Sequence, residues 1–224
     1  MRSGYLLTCL FLLIAGVHTA SASIIPGGTR VIYPEANREV SLSIRNADKA
    51  TDYLVQSWLD NENDGNTARV PFVITPPLFR LDREKESILR IAITGASLPA
   101  DRESLYWLSI KGIAATPKNQ EQNHLQVVVR HRLKLIYRPR ALNSQGAAEA
   151  YKSLQFRRQG QTLIINNPTP YYVSFFSLKV GGVSVDNPGM VPPFGEHRVS
   201  ASGSGVIEWQ SVNDFGAGSP VARQ

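Results

Sequence analysis

The chain has 224 residues and a formal charge of +6, with 42% apolar and 19% charged residues, a composition that can build a packed core. The modest positive excess comes with no arginine-rich helix, zinc module or aromatic RNA-binding signature, so nucleic acid is not an expected partner. Its one cysteine, Cys9, lies so near the N-terminus that disulfide frameworks and thiol chemistry are excluded once that end is removed.

Removal is what the first residues predict. Arg2 supplies a positive start, Leu6 to Val17 is an apolar run, and Ala20-Ser21-Ala22 has the small-x-small form of a cleavage site. The run is about a dozen residues, whereas a membrane-spanning helix needs ~20. Residues 1–22 are therefore read as a signal peptide, and Ser23 as the first residue of an exported, soluble chain of roughly 200 residues.

From there strand signals dominate. Val40-Ser41-Leu42-Ser43-Ile44 alternates apolar and polar, as does the neighbourhood of Leu89, Ile91 and Ile93. Tyr53 to Leu59, Ser104 to Ile113, Leu125 to Tyr137, Gln161 to Ile165 and Tyr171 to Val180 are further β-rich runs. Turn formers separate them, among them Asp64-Gly65, Pro76-Pro77, Asn167-Pro168, Asn187-Pro188-Gly189 and Pro192-Pro193. No segment sustains helical periodicity with caps, so the chain is expected to be all-β and built from sandwiches. Arg138-Pro139-Arg140 closes a long strand, and Asn143-Ser144-Gln145-Gly146 reads as a linker. This predicts two domains, 23–141 and 142–224.

Catalytic constellations are missing from the sequence. His124, His131 and His197 lack zinc-ligand spacing, and neither a G-x-S-x-G elbow nor a Gly-Lys dipeptide for a phosphate loop occurs. No cofactor, metal or catalytic residue is expected. Asp60-Asn61-Glu62-Asn63-Asp64-Gly65 imitates the opening of a calcium loop, but the position that demands a bidentate Glu is Pro71. A solvated hairpin turn is the expectation there.

Two segments carry more information. Leu125, Val127 and Val129 place three apolar side chains on one face of a strand, with Arg130, Arg132 and Lys134 on the other. The residues alone leave two readings open: a core-facing strand with a solvated outer side, or an edge strand meant to pair with another chain. Asp101-Arg102-Glu103 forms a charged turn running into Ser104-Leu105-Tyr106-Trp107-Leu108, and a carboxylate at a strand mouth calls for a cation.

The segment Leu98 to Ile110 resembles the signature of the periplasmic pilus-assembly chaperones, the PapD-like family. Five other stretches do the same, in the family's order: Gly28 to Tyr33, Thr75 to Leu81, Leu133 to Pro139, Asn166 to Val173 and Val212 to Gly216. The resemblance implies two immunoglobulin-like β-sandwiches in a boomerang. It implies a first domain that lends Leu125, Val127 and Val129 to complete a pilus or fimbrial subunit. It also implies that Arg30 and Lys134 bind the subunit's C-terminal carboxylate, and that Glu103, Arg138 and Asp214 form an ion network tying the domains together. The expected partners are pilus subunits and an outer-membrane usher, in the periplasm, with room for self-association of the free form through the same strand. The short stretch between Ile113 and His124 resembles the short-loop branch of the family. Ser109 and Ala114 depart from the family's usual Asn and Pro, so altered local bonding is expected there. The last strand is expected to be missing or stunted. Strict alternation puts Lys134 opposite the apolar triad, so a twist or bulge is expected between them. Two alternatives remain from the residues themselves: a fimbrial subunit, which two domains without a disulfide disfavour, and a hydrolase or carbohydrate-binding sandwich.

Overall fold

A computed structural model describes residues 23–63, 65–95, 97–115 and 127–224. The expected signal peptide, His124 and Leu125 lie outside the described residues.

Two sandwiches follow one another. In the first, β1 (Ile24–Pro26), β3 (Glu39–Asn46), β7 (Glu86–Ile93) and β5 (Phe72–Thr75) form one sheet in the order β1-β3-β7-β5. The facing sheet has the order β2-β9-β8-β4-β6, from β2 (Arg30–Pro34), β9 (Val129–Arg138), β8 (Ser104–Ala114), β4 (Tyr53–Asn61) and β6 (Leu78–Leu81). Period-two alternation aims one face of each strand inward. Ile44, Leu89 and Ile91 come from one sheet and Val55, Leu108, Ile110 and Leu135 from the other, all fully buried. Each such side chain contributes ~1.5–3 kcal/mol by leaving water. Buried Asn46 holds the turn after β3, donating to the carbonyls of Thr51 and Leu81 and accepting from the Asp48 N–H.

The chain crosses between the two sheets at Gly27, where a Cβ would sit 2.2 Å from the Ser43 hydroxyl. Only glycine lets the backbone pass there, and the crossing delivers β2 to the edge of β9. β2 lies parallel to β9, with Arg30 opposite Lys134 and Pro34 opposite Arg138.

In the second sandwich one sheet has the order β10-β11-β15, from β10 (Gln155–Gln159), β11 (Thr162–Asn166) and β15 (Glu196–Ser200). Opposite it, β12 (Val173–Val180) pairs with β13 (Val183–Ser184), β14 (Met190–Val191) and β16 (Ile207–Ser211), and β16 pairs with β17 (Ala222–Arg223). Leu163, Ile165, Leu178, Val180, Val191 and Trp209 fill the space between, and the Trp209 indole donates to the Tyr151 carbonyl. The fold is all-β in two immunoglobulin-like sandwiches.

Three expectations need correction. The segment read as a linker contains a short helix, α1 (Ser144–Glu149), capped by the Asn143 side chain, which accepts from the Gly146 N–H. A helix of six residues is too short to display periodicity, so it left no sign in the sequence. The stretch from Asp60 to Gly65 is not a hairpin, because β4 and β5 belong to opposite sheets and the chain crosses between them. Nor is it simply solvated, since Glu62 bonds to the second domain. No bulge separates Val129 from Lys134: β9 pairs with β8 in unbroken register from Val129–Gly112 to Tyr137–Ser104. The two faces of this strand meet different surroundings without a bulge. The closing strand β17 is indeed short, two residues paired to Glu208 and Trp209.

Candidate functional site: a free strand edge ending on two cations

Along one edge β9 is paired to β8 over almost its whole length. Along the other it meets β2 only from Lys134 to Arg138. The backbone from Val129 to Leu133 therefore has no strand on that side among the described residues. Val127 precedes the strand and is 73% exposed, and Val129 is 44% exposed, both unusual for valines. An unpaired edge flanked by exposed β-branched residues is a template for another strand.

The free edge ends where β2 begins, at the cross-strand pair Arg30 and Lys134. Neither residue forms an ion pair among the described residues. Arg30 Nη1 donates to the Val212 carbonyl at 3.1 Å, while its buried Nε has no partner. Lys134 Nζ donates to the Ser174 hydroxyl at 2.6 Å. Burial, and then the neighbouring Arg30, push the Lys134 pKa down to about 8. Burial likewise lowers that of Arg30. Both cations are bonded within the molecule, but only to neutral oxygens. Asp214 and Glu103 favour the Arg30 charge from a distance, but two desolvated like charges without an ion pair of their own still attract an anion.

The carboxylates nearby are committed to Arg138. Its Nε donates to Glu103 Oε1 at 2.7 Å, and its two terminal nitrogens grip Asp214 Oδ2 at 2.7 Å and Oδ1 at 2.9 Å. The other oxygen of Glu103 accepts from the Tyr172 backbone N–H at 2.8 Å. The structure thus brings Glu103 and Arg138 of the first sandwich together with Asp214 of the second. Burial opposes the charge on Arg138, but its bonds to Asp214 and Glu103 outweigh that and raise its pKa. Burial pushes the Glu103 pKa up, with Arg138 and the Tyr172 N–H pulling it down. Both Glu103 oxygens accept from fixed donors, so protonation would break one of those bonds. Three charges sum to −1 there and the cation pair adds +2, leaving one positive unit at the cleft.

Local sequence presents these groups. Buried Asn167 donates to the carbonyls of Tyr171 and Pro192 and accepts from the Thr169 N–H, which fixes the turn leading to Tyr172 and Ser174. The 212–218 turn is closed by Asn213, whose side chain accepts from the N–H groups of Phe215 and Ala217. Gly216 has φ +90, and a Cβ there would sit 2.4 Å from the Thr29 hydroxyl. Ser174 and the Val212 carbonyl are site groups that sequence reasoning missed. A serine in an apolar strand carries no signal, and a carbonyl carries none at all.

Arg130 and Arg132 lie on the same face as Lys134 but are occupied otherwise. Arg130 stacks on Trp58 at 4.8 Å and donates to Ser109 and Asp60, and Arg132 lies 4.4 Å over Trp107. Ser109 is fully buried and takes two bonds from Arg130, so the departure at this position is absorbed by an arginine.

The sequence comparisons bear on the same residues. The family described as Pili and flagellar-assembly chaperone, PapD N-terminal domain, matches residues 23–143, and Pili assembly chaperone PapD, C-terminal domain, matches residues 149–222. The chain belongs to the PapD family of pilus-assembly chaperones. Membership makes it a non-enzymatic chaperone of pilus assembly. The chaperone protein FocC of Escherichia coli is 41% identical over 212 residues, 92% of each chain. FimC of Escherichia coli K12 is 39% identical over 220 residues, covering 96% of this chain and 88% of FimC. Among solved structures, the Salmonella enterica SafA pilin in complex with the SafB chaperone matches with a TM-score of 0.83 and 34% identity, covering 92% of this chain and 98% of the matched one.

Proposed function

We propose that this chaperone holds pilus subunits in the periplasm by donor-strand complementation and hands them to an outer-membrane usher. The free edge of β9 running into Arg30 and Lys134 carries the reading. A guest strand pairing with residues 129–133 would continue the line of β2 and meet Arg30 at its end. For its C-terminal carboxylate to reach the cations it must run in the same direction as β9, which makes the pairing parallel. Arg30 offers a planar fork for both carboxylate oxygens and Lys134 a point charge.

Leu125, Val127 and Val129 would fill the subunit's unfinished core, at ~1.5–3 kcal/mol for each side chain buried. The cations would set register, since a slip of one residue turns the wrong face inward. Glu103, Arg138 and Asp214 would fix the angle between domains 23–141 and 142–224, so that both cations converge on one carboxylate. Residues 1–22 would serve as the export signal. The matched SafB chaperone is seen with a pilin, and the matched SfaE is described as periplasmic, which supports the partner and the compartment.

The test is co-expression with a candidate subunit. Wild-type chaperone should purify as a one-to-one complex, and Arg30→Ala or Lys134→Ala should lose the subunit while keeping a β-type circular dichroism spectrum. Normal capture by both variants would overturn the anchor role.

A further inference from the structure

The second domain meets Lys134 at the entry to β12, where first-domain side chains hold Tyr172, just before the strand, and Ser174, within it. The Tyr172 N–H donates to Glu103, and Ser174 accepts from Lys134. The third hold is at Tyr172 itself, whose hydroxyl donates to Glu62 Oε2 at 2.9 Å. Glu62 lies just beyond β4, and its own backbone carbonyl accepts from the Trp107 indole at 3.1 Å, so the loop that carries it is fastened to β8. The Tyr172 hydroxyl is raised in pKa by its burial and by the carboxylate beside it, and it stays a donor throughout the ordinary pH range.

We propose that Glu62 is a positioning residue: through the Tyr172 hydroxyl it seats the 172–174 segment, and so places Ser174 against Lys134. The ion network around Arg138 clamps one side of this segment, at the turns 99–103 and 212–216. Glu62 reaches it from the end of β4, where Asn61 pairs with Tyr106 of β8. Glu103 and Glu62 line one pocket with Tyr172 and hold that residue at two points, its backbone N–H and its hydroxyl, which restrains rotation in a way that one contact cannot. Ser174 lies two residues beyond Tyr172, which leads directly into β12, so any swing of Tyr172 is transmitted to the hydroxyl that holds Lys134. The Ser174 carbonyl also accepts from the Val212 N–H, while the Val212 carbonyl accepts from Arg30. Both cations therefore rest on the strip that Glu62 steadies. The inference rests on the reading of Arg30 and Lys134 as the binding site, but its test needs no subunit and can fail separately.

The mature chain is spin-labelled at exposed Lys85 in the first domain and Ser202 in the second, and interdomain distances are measured in wild type, Tyr172→Phe, Glu62→Ala, Glu62→Gln and the double variant Tyr172→Phe/Glu62→Ala. In parallel, lysine side chains are titrated by NMR. Loss of the hydroxyl or of the carboxylate should broaden the distance distribution equally, with no further broadening in the double variant. Glu62→Gln should match wild type, because its amide oxygen still accepts from the phenol. The Lys134 midpoint should rise from about 8 toward the ordinary lysine value in both broadened variants, as Ser174 withdraws and water enters. Unchanged distances, additive effects in the double variant, or an unmoved Lys134 midpoint would each overturn the proposal. Normal subunit capture by Arg30→Ala would instead strike the anchor reading and leave these measurements standing.

Discussion

Lys134 should make the free chaperone less stable than it need be, and replacing it should reveal by how much. An unfolded lysine titrates near 10.5 and this one near 8, so holding its charge in the folded state at neutral pH costs about 3 kcal/mol. Lys134→Met removes that cost together with the bond to Ser174, a charge-assisted contact worth roughly 1.5–3 kcal/mol. The balance at pH 7 is a gain of ~1 kcal/mol, or a melting point higher by about 3 °C for a chain of this size. The pH dependence is the sharper test. Between pH 8 and 10.5 the unfolded chain still carries the proton that folded Lys134 has lost. Wild-type stability must therefore climb with pH across that window relative to the variant, by up to 1.36 kcal/mol per unit. Urea unfolding of both proteins at pH 7 and pH 10 measures the difference. A stabilised variant at pH 7 that becomes the weaker protein at pH 10 would support the argument. A stability difference that ignores pH would refute the claim that Lys134 is a desolvated, uncompensated cation.

The same cation should make subunit capture pH-dependent: affinity should be flat up to about pH 8 and fall about tenfold per unit above it, whereas Lys134→Arg should be insensitive over that range. Arg138→Ala leaves Glu103 buried without its cation, so it should cost roughly 3–5 kcal/mol in unfolding experiments and widen the interdomain motion seen by solution scattering. Gly216→Ala meets both a positive φ and the Thr29 hydroxyl, and should shift the second domain in scattering while each sandwich keeps its circular dichroism signature. Val129→Asp alters a residue that is 44% exposed, so it should leave the melting point within about 1 °C of wild type yet abolish capture, because the guest's core would receive a charge.

Much of the architecture could be read from the residues, for a physical reason. Strands with one buried face announce themselves by alternation, as β3 does with Leu42 and Ile44 and β7 with Leu89 and Ile91. Edge strands do not: β10 has a single buried side chain, Phe156, and β15 none, so their sequences look like loops. The charged members of the site were named through the family resemblance, since any one of Arg30, Glu103, Lys134, Arg138 and Asp214 could by its sequence be an ordinary surface charge, and only the structure brings them to one junction. Their neutral partners were not. Ser174, the Val212 carbonyl and the Tyr172 hydroxyl acquire meaning only from the approach of two domains, which no local pattern encodes.

The pairing at this junction is economical in a way that explains why five charges can sit together. Arg138 takes the hydrogen bonds of both carboxylates, so neither forms an ion pair with Arg30 or Lys134. Exchange that assignment, with Asp214 turned toward Arg30, and the free protein would gain an internal ion pair and lose its site for an anion. The two-pronged grip of Arg138 on Asp214 occupies both carboxylate oxygens, so Asp214 acts on Arg30 through space and without a hydrogen bond. The ion network therefore links the two domains and holds both carboxylates in hydrogen bonds to Arg138, so that on the proposed reading Arg30 and Lys134 keep their hydrogen-bonding nitrogens for a guest.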